Sequence, residues 1–437
     1  MPFEQSYSLA RNTTDQRVAV VGGGISGMGA AYRLGQHMQV TLFEAEDRLG
    51  GHARTKIAGK RGDQPVDTGF IVFNYANYPK MTALFDALDV PVVKSNMSFG
   101  ASIGGGQLEY ALSSLDALFA QRKNAINPKF LGMVRDIFRF NKNALKVAQD
   151  PTLTLAEFLE RLGTGDWFRD YYLLPLSGAI WSTPTQKIMD FPAHAMIQFF
   201  ENHALLNATG QHQWYTVDGG SVEYVRRLGA ALESQGTDVR LRAPVQSVRR
   251  IDGGVQVKAQ GGDWEAFDHV IFGTHSDDTL ALLADPSERE REALGAIAYQ
   301  DNDIILHADE SIMPKRRQTW SSWVYTDDGT NTSDQIDLTY WMNSLQPIPM
   351  DDPHFVTLNT KRAIRDEFIY DQVTLRHPVY DLAALAGQEK VRDMNGSQNT
   401  WFTGAWLRNG FHEDGLDSAI NVADAILATV HEKQSRT

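Results

Sequence analysis

RVAVVGGGISGMGAAYRLG at 17–35, followed by VTLFEAEDRLGGHARTK at 40–56, decides how the chain is read. The run Val18 to Val21 predicts a buried strand, and Ala30, Ala31 and Leu34 carry a helical apolar pattern beyond a glycine turn. Gly22, Gly24 and Gly27 make that turn a G-x-G-x-x-G. The first glycine permits the tight turn, the second lets backbone approach a pyrophosphate, and the third lets helix pack closely on strand. The diphosphate then sits on the helix N-terminus. A second strand, Val40 to Phe43, ends at Glu44, where a carboxylate accepts from a ribose 2′-hydroxyl and repels a 2′-phosphate. An adenosine diphosphate nucleotide without 2′-phosphate is predicted, and the motif alone leaves NAD and FAD both open.

Composition narrows the class. A chain of 437 residues is too long for one hydrophobic core and predicts two domains. The formal charge, 41 − 54 = −13, argues against a nucleic-acid partner. The absence of cysteine removes disulfides, thiolate metal sites, cysteine nucleophiles and cysteine-linked flavin, and no metal site is expected. No uncharged run reaches the length of a membrane span, and MPFEQSYSLARNTTDQ at 1–16 has neither an apolar core nor a cleavage pattern, so a cytoplasmic location is expected.

One stretch departs from the acidic average. Arg122, Lys123, Lys129, Arg135, Arg139, Lys142 and Lys146 face one acid, Asp136, a local charge of 7 − 1 = +6. Phe119, Phe130, Leu131, Met133, Val134, Ile137, Phe138 and Phe140 are interleaved with them. This composition suits a helix lying on an anionic membrane, and equally a surface helix whose aromatics face the core. Both readings of 119–146 stay open, and a peripheral position at the inner face of the membrane is carried as an expectation.

Arg48-Leu49-Gly50-Gly51, beginning four residues past Glu44, completes E-x-x-x-R-x-G-G. With it the chain resembles the flavoprotein superfamily of flavin-containing amine oxidases, phytoene desaturases and protoporphyrinogen oxidases. The resemblance implies FAD, held non-covalently with no cysteine available. It also implies an α/β fold: a discontinuous Rossmann-type FAD-binding domain joined to an α+β substrate-binding domain. The implied cofactor residues begin with Gly22, Gly24, Ile25, Ser26 and Gly27, then Glu44 and Ala45. They continue through Arg48, Gly50, Gly51, His52 and Ala53, with Arg48 lending charge to the diphosphate. Thr68, Gly69 and Phe70 follow, and the backbone of Val245 is expected at adenine.

The end of the chain matches the same superfamily through Gly404-Ala405, Gly410-Phe411-His412-Glu413-Asp414-Gly415 and Ser418-Ala419. A long helix is expected from near Leu416, its N-terminus aimed at the flavin pyrimidine ring, where about half a positive charge stabilises the reduced form. Gly404, Ala405, Phe411, Glu413, Asp414, Gly415 and Ser418 are the implied contacts. A second nucleotide-type segment starts at Gly219-Gly220-Ser221. The FAD domain is therefore expected over 1–95, 206–285 and 390–437, and the substrate domain over 96–205 and 286–389.

The substrate side departs from the amine oxidases. They place a lysine on a strand entering the substrate domain, whereas AYQDNDIILHAD at 298–309 offers Asn302 and Asp303. Phe411 supplies only half of an amine-caging aromatic pair. The stretches at 171–184, 190–206, 318–325 and 338–346 are apolar and aromatic and suggest a pocket for a long apolar ligand, with core filling the plainer reading of any one tryptophan. IWS, FFENH, LHAD, MPKRR, TGAW and GFHEDG resemble a bacterial branch associated with cyclopropane-fatty-acid-synthase-like methyltransferases. One member of that branch desaturates methylated fatty acyl chains on the way to furan fatty acids. The resemblance implies hydride transfer from an allylic carbon to flavin N5, with a base taking the second hydrogen as a proton. His412, Glu413 and Asn302 are the candidate catalytic residues, with His307, His203 and His275 more remote. A flavin amine oxidase, a lipid double-bond isomerase and a non-catalytic FAD-bound methyltransferase partner are the other readings. A homodimer is also expected, with no motif marking its surface.

Overall fold

Arg17–Val21 and Gln39–Phe43 are neighbouring parallel strands joined through the helix Ile25–Leu34, as the opening stretch predicts. The computed structural model describes residues 14–435 apart from 151, 182–187, 204, 207–210, 328 and 330–335. The expectations for 1–13, for the Trp181 side chain and for 182–184 lie outside the described residues.

Five parallel strands form the nucleotide sheet, in the order Asp238–Arg240, Gln39–Phe43, Arg17–Val21, His269–Phe272, Thr400–Phe402. Their near-continuous apolar sequences follow from burial on both faces. Val18, Val20, Leu42 and Ile271 pack on one side with the helix Ile25–Leu34 and the C-terminal helix. Ala19, Val21, Phe43 and Phe272 pack on the other. The first and last helices are in close apposition: a Cβ on Gly29 would lie 2.6 Å from Leu416 Cδ1.

A seven-stranded sheet forms the second body, in the order Ile369–Pro378, Tyr299–His307, Phe355–Leu358, Asp337–Trp341, Trp323–Thr326, Phe99–Ile103, Leu108–Ala111. All its pairs are antiparallel except Trp323–Thr326 with Phe99–Ile103. The helices Pro128–Val147, Leu155–Leu162 and Ala193–Asn202 share its apolar cluster, with Phe130, Phe140, Phe158 and Phe200 fully buried. A short sheet of Val72–Asn74, Trp214–Val217 and Val92–Ser95 packs Val72 against the apolar cluster of the second body and Phe73 and Val217 into that of the nucleotide sheet.

Two expectations are corrected. The C-terminal helix begins at His412, not near Leu416. Its first turn holds Glu413 and Asp414, the acidic residues a helix N-terminus favours. The domain limits at 286 and 390 also differ from the packing. Leu294 and Ile297, and Ala384 and Val391 of the helix Leu382–Met394, share one cluster with Phe272 and Phe402 of the nucleotide sheet. No helix among the described residues is long and apolar enough to cross a membrane.

Candidate active site

At the nucleotide end the site is built from backbone. Gly22 ends its strand at φ +103°, a conformation that suits glycine. A Cβ on Gly27 would fall 1.8 Å from Gly22 O, so the third glycine is dictated by close packing of helix on turn. Gly24 is the opposite case: an added Cβ would meet only Gly51 Cα, at 4.0 Å, which leaves open space at the helix N-terminus. The helix Ile25–Leu34 has no side-chain cap and no acid in its first turn, so the leading amides near Ile25 and Ser26 remain for an anion. The second glycine turn lies against the first, with Gly50 N donating to Gly23 O at 2.8 Å. Glu44 accepts from Gly23 N at 2.6 Å and from Glu46 N at 2.8 Å, and a carboxylate so placed, just before Ala45, keeps lone pairs for a ribose diol. Ala243 N donates to Glu44 O at 2.9 Å, which brings the start of the strand Val245–Ile251 beside it. These features fit an adenosine diphosphate group.

Arg48 holds the second glycine turn. Its guanidinium donates to Gly51 O at 2.9 Å and Ala53 O at 3.0 Å, and pairs with Glu46 at 3.0 Å. It shapes the second glycine turn, and its charge is already partnered.

From that turn the chain runs directly into the second half of the site. His52 O accepts from Phe70 N at 3.0 Å, and a Cβ on Gly69, after Thr68, would lie 1.9 Å from His52 O. Phe70 stacks on His412 with ring centroids 4.1 Å apart. His412 Nε2 is 2.8 Å from the Tyr224 hydroxyl. Gly415, one turn along, faces the first helix, since a Cβ there would be 2.8 Å from Ser26 Oγ. Ser418 Oγ accepts from Gly404 N at 3.0 Å, and Gly410 N donates to Ala405 O at 3.1 Å. The expected cofactor residues of both chain ends therefore meet along one continuous line.

That line opens into a cavity of about 920 Å³. His52, Phe70, Phe411 and His412 line it together with Tyr172, Phe199, Ile304, Trp323 and Tyr340, and Phe199 stacks on Phe411 with ring centroids 5.1 Å apart. Among the described residues, no Asp, Glu, Lys or Arg lines it. Its imidazoles are held neutral. Burial lowers His412 to about 3, with His52 adding to the effect. Burial, then Arg48 and Arg376, lower His52 to about 4, and burial, then His52 and His275, lower His377 to about 3. His203, also on the wall, is lowered by burial and stacks on Phe199 at 3.9 Å. Tyr380 Oη, buried on the cavity wall, has no hydrogen-bond partner among the described residues and leaves a donor for a bound group.

Two catalytic candidates move away from the chemistry. Glu413 accepts from Lys80 N and Met81 N, each at 2.9 Å, and so caps the helix Pro79–Ala87 from outside the cavity. Asn302 is fully buried behind the wall: its amide is 2.9 Å from His377 Nδ1 and accepts from Asn359 at 2.7 Å. It positions His377, which the sequence reading missed. The strand Ile369–Pro378 carries no motif around that histidine. Asp414 accepts from Phe411 N at 3.0 Å and Asn409 N at 3.2 Å, and burial pushes its carboxyl up to about 6. His307 bonds Thr357 inside the large sheet, and His275 stacks on Tyr299 at 4.4 Å, both off the cavity wall. The acids beside His275, Asp277 and Asp278, are both paired with Arg376 at 2.5 Å.

Comparison with known proteins places this architecture. The family model described as flavin containing amine oxidoreductase matches residues 25–411. The chain belongs to the flavin-containing amine oxidoreductase family. It is therefore an FAD-dependent oxidoreductase of this family, and without cysteine it cannot hold FAD through a cysteine link. Coproporphyrinogen III oxidase of Mycobacterium leprae is 44% identical over 79 residues, 17% of each chain. The alignment thus spans about a sixth of that curated relative. Among solved structures, the CLA-producing fatty acid isomerase from P. acnes aligns with a TM-score of 0.67 and 14% identity over 96% of this chain and 99% of its own. Cyclohexylamine oxidase from Brevibacterium oxydans aligns with a TM-score of 0.67 and 14% identity over 96% of this chain and all of its own. These likenesses establish the shared fold.

Proposed function

We propose that this flavoenzyme dehydrogenates a methylated or unsaturated fatty acyl chain, introducing a double bond. The observation that carries the reading is the cavity: large, aromatic, and without a charged side chain among its described lining residues. An ammonium or carboxylate buried there would lose its hydration with no counter-ion, a penalty of several kcal/mol, on the order of that for other unpaired buried charges. A hydrocarbon chain suffers no such penalty and gains about 0.8 kcal/mol for each methylene removed from water. The cavity wall also has no lysine among its described residues, and the strand Tyr299–His307 presents Ile304 there.

The contacts proposed for FAD are the two glycine turns with Glu44, the Thr68-Gly69-Phe70 segment, Val245, and the C-terminal residues Gly404, Ala405, Phe411, Asp414, Gly415 and Ser418. FAD, when bound, supplies the two-electron acceptor. The protein's own part is to orient the chain, exclude water and take up one proton. His412, uncharged at neutral pH and on the cavity wall beside Phe70, is the proposed proton acceptor, with His377 held by Asn302 as its nearest alternative in kind. Tyr224, at 2.8 Å from His412 Nε2, holds the ring in place, and Nδ1 is left free to accept the proton when Nε2–H donates to the Tyr224 hydroxyl.

Product analysis tests the reading. Incubation with an acyl chain bearing a methyl-branched alkene should give a product lacking two hydrogens. A product of unchanged mass with a moved double bond would assign the isomerase reading instead. Release of an aldehyde and ammonia from amines, with lipids untouched, would overturn both.

A further inference from the structure

The helix Pro128–Val147 presents three successive strips. Phe130, Met133, Phe140 and Ala144 are buried in the core. Val134, Ile137 and Asn141 line the cavity. Leu131, Phe138 and Leu145, spaced seven residues apart and so nearly in line along the helix, are exposed to water. Phe138 belongs to both strips: it is 59% exposed and lines the cavity. Beside this row stand Arg135, Arg139, Lys142 and Lys146, all exposed. Leu115, 77% exposed, lines the same cavity from the helix Leu115–Leu118.

Large apolar side chains at the rim of an apolar cavity, bordered by cations in a protein of net charge −13, form a surface with one complementary partner class. We propose that this face docks on an anionic lipid bilayer, and that the acyl chain enters the cavity from the lipid past Phe138 and Leu115. The inference rests on the acyl reading of the cavity and names where that substrate comes from. The row Leu131, Phe138, Leu145 inserts among the acyl chains while the adjacent basic row meets lipid phosphates, the arrangement of an interfacial amphipathic helix.

Co-sedimentation of the FAD-loaded enzyme with vesicles tests this. Saturated phosphatidylglycerol mixed with phosphatidylcholine is the probe, against saturated phosphatidylcholine alone, so no reactive acyl position is present. At low salt the protein should pellet with the anionic vesicles only, and high salt should release it. Lys142→Gln with Lys146→Gln should lower the partition coefficient roughly thirtyfold, and Phe138→Asp should lower it throughout the salt range in which the parent pellets. Failure to pellet at low salt, equal binding to neutral vesicles, or a charge variant that binds like the parent would overturn the docking. Turnover of a detergent-dispersed acid without vesicle binding would remove the docking and keep the acyl reading. Vesicle binding without acyl turnover would do the reverse.

Discussion

The nucleotide end and the substrate cavity lie next to each other and are specified in different ways. The first is made of backbone: Gly22, Gly24, Gly27, Gly50 and Gly51 bring two turns into contact, Gly50 N donating to Gly23 O at 2.8 Å, and leave helix amides uncapped. The second is made of side chains from distant segments, with Phe70, Phe199, Ile304, His377 and His412 on a common wall. A backbone cradle recognises a group common to many flavoproteins, and its rules are local spacings. A side-chain wall selects one substrate, and no short stretch of sequence contains it.

Substitutions should separate the two regions. The largest effect is expected at Gly27→Ala, where the new Cβ would sit 1.8 Å from Gly22 O. Purified protein should lose its flavin absorbance, and retention of normal FAD content would contradict the packing argument. Ile304→Asp should leave FAD in place and lower acyl turnover by roughly a hundredfold or more, because an unpaired charge then faces the cavity. Loss of flavin together with turnover would show that the two regions are not separable at that wall. His412→Gln should slow anaerobic flavin reduction by about 10²- to 10⁴-fold with FAD retained, the range for a lost general base. An unchanged reduction rate would reduce His412 to a ring stacked on Phe70 and hydrogen-bonded to Tyr224.

Acid should weaken the cavity region before the nucleotide sheet. His52, His275, His377 and His412 fall from 6.5 to about 4, 3, 3 and 3 on folding, so their contribution is full above pH 6.5 and is lost as pH falls toward 4. Asp67 and Asp414, raised from 3.8 to about 6, oppose this by adding stability as pH falls below 6. His307, also lowered by burial to about 4, adds to the first set and Glu413, raised by burial, to the second; with five groups against three, the melting temperature should drop between pH 6.5 and 4.5. His377→Asn should flatten that slope by up to about 1.4 kcal/mol per pH unit, and a slope unaltered by the substitution would count against burial of a neutral ring. The smallest effect is expected at Glu413→Gln, which weakens a helix cap by about 1 kcal/mol in thermal melts and leaves the reduction rate unchanged. A large rate loss there would return Glu413 to the chemistry.

The same contrast explains what the sequence made legible. Gly27 and Glu44 could be read because strand, turn and helix follow within a few residues and each glycine has a local reason. Arg48 was legible as a residue type and not in its partners, since which carbonyls it meets depends on how the second turn closes. Glu413 was misassigned because adjacency in sequence is not adjacency on a helix: one residue's step rotates it by about 100° away from His412, onto the helix Pro79–Ala87. His377 and Tyr380 were missed because their setting is made by Asn302, His52 and Gly410, far away along the chain.

The central claim is that an uncharged cavity beside the flavin selects acyl chains over amines. Anaerobic bleaching of the flavin spectrum tests it most directly, with one panel of methyl-branched and unsaturated acyl lipids and another of primary amines and amino acids. The account predicts bleaching by members of the lipid panel and none by the amines. Bleaching by amines with the lipids inert would contradict it.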